Sequence, residues 1–437
     1  MRPIISTLFV LVSLTGFAQL TILGSANSVI TVSPETSTGL DKLYVVDNTS
    51  GLSASYPSAG AVWYRFSNLG GAYAEEVKSR TDGNTSVINL SDKDMGYIVE
   101  DGGRRHYYWI VNYADHELSL NGITVSTESQ CDRTLFDVSG KGDRITYYSI
   151  NGAPHELSRE LILSYRTLSF DTEAFVWHET QAEESFGSLS ATINCPAPLC
   201  NTEFTLSGDR FLRAWGRELS ATTPSYSTSA VEARTQAEQK TEEYDNQQTS
   251  TGNGLGGSAP CEITFTAAPT DAVVFREWQF SRTPEFEDVY ERYNEDQITH
   301  TFDENGTIYI RYFCANDAGN CEFAGETYTV DIGESRLECP NAFSPANQDG
   351  VNDEWKVSYQ SIVSFDCHIF NRWGKELARL THPSQGWNGK VGGKFVPSGV
   401  YFYVIEAKGA DGRKYKLSGD INIIGTRLNS TGNSETE

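Results

Sequence analysis

Catalytic motifs are what this sequence most clearly lacks. No HExxH, GxSxG or phosphate-loop pattern occurs, and seven histidines (His106, His116, His155, His178, His300, His368, His382) are scattered along the chain. His178-Glu179 is an isolated pair at a strand end. Acidic pairs such as Glu75-Glu76 and Glu183-Glu184 are too frequent in so acidic a chain to nominate a glycosidase dyad. Basic charge is also in deficit, with 34 Lys+Arg against 58 Asp+Glu for a net charge of −24, which argues against nucleic acid and anionic membrane surfaces as partners. Methionine occurs twice, and beyond the first 18 residues no apolar run approaches the ~18 residues of a membrane span. CxxC pairs are absent too, which makes thiol metal sites a poor reading of the eight cysteines.

What is present favours β-structure: 38 glycines, 22 tyrosines and 21 phenylalanines suit short strands and tight turns better than helical bundles. A chain of 437 residues is too long for one core and predicts several domains. Met1-Arg2, the apolar run Ile4–Leu14 and the small residues up to Ala18 predict a signal peptide over 1–18, with cleavage after Ala18. In an exported chain the cysteines are expected to form disulfides. Eight cysteines allow 105 connectivities. Short loops make Cys195–Cys200 and Cys314–Cys321 plausible, and Cys339–Cys367 would tie two strands near the C-terminus, leaving Cys131 and Cys261.

The chain then divides by pattern. Residues 19–125 alternate strand and turn signals. Tyr97-Ile98-Val99, a turn at Asp101-Gly102-Gly103 and Tyr107–Val111 predict a hairpin, and the whole suggests an immunoglobulin-like sandwich. Residues 126–243 form a second, less regular β-rich stretch in which Phe204–Phe211 reads as a strand. In Ala230–Thr241 the composition favours helix, but apolar and small residues fall on odd positions and charged ones on even, which favours a strand. The polar, glycine-rich stretch 244–258 reads as a linker. Its Gly252-x-Gly254-x-Gly256 follows no apolar strand and opens no helix, as a phosphate loop would require. In 259–335, Glu262–Ala267 and Val273–Phe280 read as strands, and Ile298–Phe302 and Thr307–Phe313 as a hairpin about Asp303–Gly306. This stretch resembles a PKD-type immunoglobulin-like domain, a class that serves as spacer or adhesive module on bacterial surface proteins.

Residues 336–426 carry four motif blocks in order. Asn341–Pro345 leads into Asn347-Gln348-Asp349-Gly350-Val351-Asn352-Asp353. Ile369-Phe370-Asn371-Arg372-Trp373-Gly374 follows, then Gly386-Trp387-Asn388-Gly389, then Pro397-Ser398-Gly399-Val400-Tyr401-Phe402-Tyr403. These resemble the gliding-motility-associated C-terminal domain, the type B sorting domain of the type IX secretion system of Bacteroidetes. Ala346-Asn347-Gln348 departs from the family, which more often has Asn-Gly or Asn-Asn directly after the proline. The resemblance implies a sorting or docking motif made of Phe343, Pro345, Asp349, Gly350, Asn352, Asp353, Asn371, Arg372, Trp373, Gly374, Trp387, Gly389, Pro397, Gly399 and Tyr401. Asn347, Asp349, Asn352 and Asp353 offer hard oxygen donors at offsets 0, 2, 5 and 6, as part of a calcium loop would. The same residue types also stabilise turns through their own backbone, and the distal glutamate of an EF-hand is missing. No other cofactor is expected.

The physics of this stretch agrees with a free-standing module. Val400–Ile405 is apolar at both odd and even positions and predicts a central strand buried on both faces. Trp355, Trp373 and Trp387 offer large areas to bury, with Arg372 stacked on an aromatic ring. Residues 338–437 hold 11 Lys+Arg and 11 Asp+Glu, so the excess acid lies wholly upstream of a neutral end; 427–437 is a polar tail. The expected whole is an all-β chain of tandem immunoglobulin-like β-sandwich domains with a C-terminal β-sandwich sorting module. The resemblance implies export across the outer membrane by the type IX machinery and docking at an SprF/PorP-like outer-membrane barrel. A non-enzymatic structural or adaptor role at the cell surface is expected first, an adhesin or glycan-binding protein second and a surface hydrolase last.

Overall fold

A computed structural model describes residues 19–240, 244–249, 254–346 and 348–425. The expected signal peptide and polar tail lie outside these residues. Regular structure is almost wholly β-strand, and one α-helix, Arg210–Ala214, occurs among the described residues. The chain forms two compact units, Met1–Ser169 with Glu179–Thr228, and Phe170–His178 with Ser229–Glu437.

The first unit opens with a four-stranded and a six-stranded sheet. The expected hairpin is there: Met95–Asp101 pairs antiparallel with Arg104–Asn112. Its turn, Gly102-Gly103, has φ of 55° and 78°, a conformation that β-carbon-bearing residues avoid. Alternation places Trp63, Tyr97, Val99, Tyr108 and Ile110 in one buried cluster, and Trp63 Nε1 donates to Ser86 Oγ at 2.8 Å. Three further sheets follow, built from strands between Ser119 and Thr222. A second cluster runs from Leu43 and Trp109 to Phe136, Phe204 and Phe211, so side chains from both sides of residue 125 share one core.

The strand expected over Phe204–Phe211 ends at Gly208. Asp209 caps the helix that follows, its carboxylate accepting from Leu212 N at 3.0 Å, and an aspartate so placed favours helix entry over strand continuation. Asp209 also accepts from Arg159 at 2.7 Å and from the Tyr113 hydroxyl at 2.9 Å. Arg159 and Asp209 are 1% and 0% exposed. The remaining Arg159 nitrogens donate to the carbonyls of Asp143 and His116 at 2.8 and 2.6 Å, so every charged group in this buried network has partners.

In the second unit the odd–even alternation prevails over helix propensity: Ala233–Gln239 is a strand, paired with Cys261–Pro269. That strand pairs in turn with Gln297–Phe302. The opposing sheet contains Phe275–Ser281, Gly306–Ala315 and Tyr328–Ile332. Here the hairpin expected about Asp303–Gly306 is corrected. Gln297–Phe302 and Gly306–Ala315 lie in different sheets, because Ile298 and Phe302 on one and Ile310, Tyr312 and Cys314 on the other pack into a common core. The turn is a sheet-to-sheet crossing. Phe170–His178, the turn of the hairpin between Leu161–Asp171 and Val176–Phe186, belongs to this unit, and Trp177 Nε1 donates to Ala268 O at 2.8 Å.

The expected linker is also corrected. Among its described residues, the Asn246 amide donates to Val357 O and Pro383 O at 2.7 and 2.8 Å. Leu255–Gly257 joins a sheet in parallel with Tyr328–Ile332. Polar composition here supplies backbone-satisfying side chains in place of slack. Cys321 is disulfide-bonded whereas Cys314 is a buried thiol, so the Cys314–Cys321 bridge is not formed. Strand register explains why: Cys314 faces Phe323, and Cys321 falls beyond the strand end. Cys131 is also disulfide-bonded. Cys195 is a buried thiol hydrogen-bonded with Tyr165, so no bridge joins it to Cys200. The expected Cys339–Cys367 bridge is likewise not formed: both are thiols, and burial raises both, which keeps the reactive thiolate scarce.

Candidate functional site

The C-terminal module is built on a five-stranded sheet. Its order is Ala342–Phe343, Lys414–Ile423, Gly399–Gly409, Ile362–Phe370, Glu376–Leu380. The first pairing is parallel and the others are antiparallel. Gly399–Gly409 therefore lies inside the sheet, as expected. Its odd residues Tyr401, Ile405 and Ala407 are buried with Cys367, Ile369, Ile421 and Ile423.

Trp355 and Trp387 close over this face. Their backbones exchange hydrogen bonds at 2.9 and 3.0 Å. Trp355 Nε1 donates to Pro340 O at 2.7 Å, and its ring lies 5.1 Å from that of Tyr403. Trp387 packs between Phe343 at 5.6 Å and Tyr401 at 5.5 Å. Most of the motif thus keeps the fold. Gly389 has φ of 68°, and an added β-carbon would lie 2.8 Å from Pro345 Cγ. Gly389→Ala is expected to cost about 2–3 kcal/mol from left-handed strain and overpacking, read as a lower urea midpoint of the module.

The acidic loop is a set of turns. Asp349 Oδ1 accepts from Val351 N and Asp353 Oδ2 from Gly350 N, each at 2.9 Å, and Ser344 N donates to Asn352 O at the same distance. Gly350 and Asn352 have φ of 82° and 53°. Asn347 lies outside the described residues. Among the described residues no group of three His, Cys, Asp or Glu gathers as a metal site.

The second block behaves differently. Asn371 closes a tight turn: its Oδ1 accepts from Trp373 N and Lys375 N at 3.0 Å each, and its carbonyl accepts from Gly374 N, where φ is 79°. This turn lifts Trp373 into solvent at 77% exposure, contrary to the expectation that it would be buried. The Arg372 guanidinium lies 4.5 Å above the indole, the expected stacking. Beside it Tyr401 Oη donates to Pro397 O at 2.8 Å and fixes the neighbouring loop. Between turn and loop lies a groove of about 390 Å³, lined by Arg372, Trp373, Leu377, Val396, Val400 and Phe402 among others.

Three lining or adjoining residues escaped the sequence reading. Val400, Phe402 and Val404 were expected to be buried, yet they are 48%, 42% and 44% exposed. The signal was present one strand away. They pair across with Asn422, Asp420 and Ser418, and those polar residues share their face of the sheet, which marks it as outward. The motif therefore brings Arg372, Trp373, Pro397 and Gly399 to one surface with the strand face, while Phe343, Trp355, Trp387 and Tyr401 hold that surface from behind. His178, the isolated site fragment, is exposed near Asp171 at 3.9 Å.

Two stretches of the chain match known families. Residues 337–423 match the family model of the CHU_C type IX secretion signal domain. Residues 124–223, left without a family by sequence reasoning, match the fibronectin type III domain. No curated protein matches the chain. Among solved structures, a tetra-tandem repeat from the extending region of a large adhesion protein is 10% identical, covering 87% of this chain and 97% of its own, with a TM-score of 0.22. The FN1–FN3 domains of chicken CNTN1 are 12% identical, covering 70% and 99%, with a TM-score of 0.24. A Ca2+-stabilized adhesin, described as helping an Antarctic bacterium reach out and bind ice, is 10% identical, covering 91% and 99%, with a TM-score of 0.19.

Proposed function

We propose that the chain is a non-enzymatic surface protein whose C-terminal module is taken by the type IX machinery through the Arg372–Trp373 turn and the groove beside it. The observation that carries this reading is an exposed tryptophan, held out by a built turn, next to an apolar strand face on the module that matches a secretion signal domain. Exposed aromatic and arginine side chains beside a groove are what a protein interface uses as anchors. The partner we favour is an SprF/PorP-like outer-membrane barrel, with the upstream sandwiches serving as a structural or adaptor body at the envelope.

The test separates docking from folding. Trp373→Ala together with Arg372→Ala, made in the full chain, is expected to cut surface arrival at least tenfold, measured by protease accessibility on intact cells. Because both side chains are outside the core, the module's unfolding midpoint should stay within about 0.5 kcal/mol of the parent. Normal surface arrival of this double variant would sink the groove reading. Normal arrival of a chain lacking 337–423 would sink the sorting role itself.

A further inference from the structure

We infer that Arg311 anchors a site for the carboxylate of a sugar acid, on the outward face of the sheet that holds Phe275–Ser281 and Gly306–Ala315. Those two strands and Val289–Tyr293 lie side by side, with Phe275–Ser281 in the middle. Trp278, Phe280, Ile310 and Tyr312 point into the core, so the residues alternating with them face outward. Register then sets Gln279 directly between Arg292 and Arg311.

The row is fixed by its own hydrogen bonds. Arg292 and Gln279 Nε2 both donate to Glu277 Oε1 at 2.6 Å. With its nitrogen committed there, the buried Gln279 turns Oε1 towards Arg311, whose Nε donates to it at 2.8 Å. The guanidinium carbon of Arg311 lies 3.9 Å from the centroid of the buried Phe286 ring, which covers one face of the cation. Phe286 reaches that place on the loop 282–288 with φ of 60°, a conformation that bulky residues avoid. Ser281 Oγ and Phe286 N both donate to Thr283 O, at 2.8 and 3.1 Å, and hold the loop in it. Backbone outliers of this kind cluster where a side chain must be held for binding.

What is held still is a cation with donors to spare. Nε is taken, but the four N–H groups on the two terminal nitrogens have no partner among the described residues, and those nitrogens are open to solvent. Burial holds the guanidinium below the usual arginine range, Arg292 adds to that shift, and Glu277 opposes it. A ligand carboxylate supplies the missing anion, and its two oxygens match the paired edge of the terminal nitrogens. The surroundings suit a sugar as its carrier. Tyr290, two residues from Arg292 on the same face, exposes its ring to the C–H groups of a pyranose. On the other side Tyr309 and Thr329, paired in register, bring hydroxyls for a hydroxylated ligand.

No residue of the C-terminal module takes part, so the test is independent of the secretion reading. The full chain is run in native gels cast with polygalacturonate or with its methyl ester, which differ in the carboxylate alone. A net charge of −24 repels a polyanion at large, so retardation by polygalacturonate reports a local site. Polygalacturonate is expected to retard the chain and the ester to leave it unretarded. Excess free galacturonate should release the chain, and galactose should not. Arg311→Lys keeps the charge and loses the paired edge, and should weaken retardation roughly tenfold or more at an unchanged urea midpoint. Gln279→Leu leaves Arg311 in place but untied, and should weaken it about two- to fivefold. Equal retardation by the two polymers, indifference to galacturonate, or full retardation of Arg311→Lys would each overturn the inference.

Discussion

Asp209→Ala is expected to destabilise the first unit by about 3–5 kcal/mol, because it strands the Arg159 guanidinium in a site that water does not reach. Three losses combine. The buried cation loses its counterion, the Tyr113 hydroxyl loses its acceptor, and Leu212 N at the start of the helix loses its cap. Urea unfolding with peptide-resolved hydrogen exchange over 113–212 would show the protected core opening at lower denaturant. Replacing both charges together, as Arg159→Met with Asp209→Leu, should recover most of the loss, since well-packed apolar groups often substitute for a buried pair without net cost. Equal destabilisation by the single and double variants would mean that shape, and not the unpaired charge, sets the penalty.

Trp355→Ala should be comparably severe in the second unit, at about 3–5 kcal/mol for a large aromatic removed from a closed core. The ring is fully buried, lies against Tyr403 and holds Pro340 O, so its loss leaves both a cavity and an unpaired carbonyl. Trp355→Phe keeps much of the area and loses the hydrogen bond, for about 1–2 kcal/mol. The informative control is Trp373→Ala in the same module, expected to fall within about 0.5 kcal/mol of the parent. Matched urea titrations of the three variants decide the matter, and a Trp373 variant as unstable as the Trp355 one would contradict the exposure on which the docking surface rests.

Those two tryptophans also show what the sequence could and could not tell. Both stand in aromatic-rich motif blocks, and composition alone assigned both to the core. Which one faces water depends on the turn that Asn371 closes, and that turn is visible only once its hydrogen bonds are drawn. Local periodicity was readable: the alternation of Ala233–Gln239 and the Gly-Gly hairpin at 102–103 both gave the right element. Pairing between distant residues was not. Arg159 and Asp209 stand 50 positions apart, with no pattern that links them before the chain folds. The strands flanking Asp303–Gly306 have hairpin spacing, yet their apolar faces are satisfied only by joining opposite sheets. The outward face of Val400, Phe402 and Val404 was legible only from the neighbouring strand, whose polar alternation marks the side of the sheet left in water.

The hairpin turn Phe170–His178 has a consequence in time. Synthesis delivers the chain from its N-terminus, and the carbonyl that Trp177 binds belongs to Ala268, 91 residues further on. When Thr228 has just emerged, the residues of the first unit are all present, but this nine-residue turn still waits for its partners, with Phe170, Phe175 and Trp177 clustered at its tip. A pause or a cut at that point would leave the Trp177 indole without the Ala268 carbonyl that it binds. The polypeptide crosses between the units at 169, 178 and 228, so no single cleavage yields two self-sufficient fragments. The safe intermediate in its maturation is the one in which residues beyond Ala268 have already arrived.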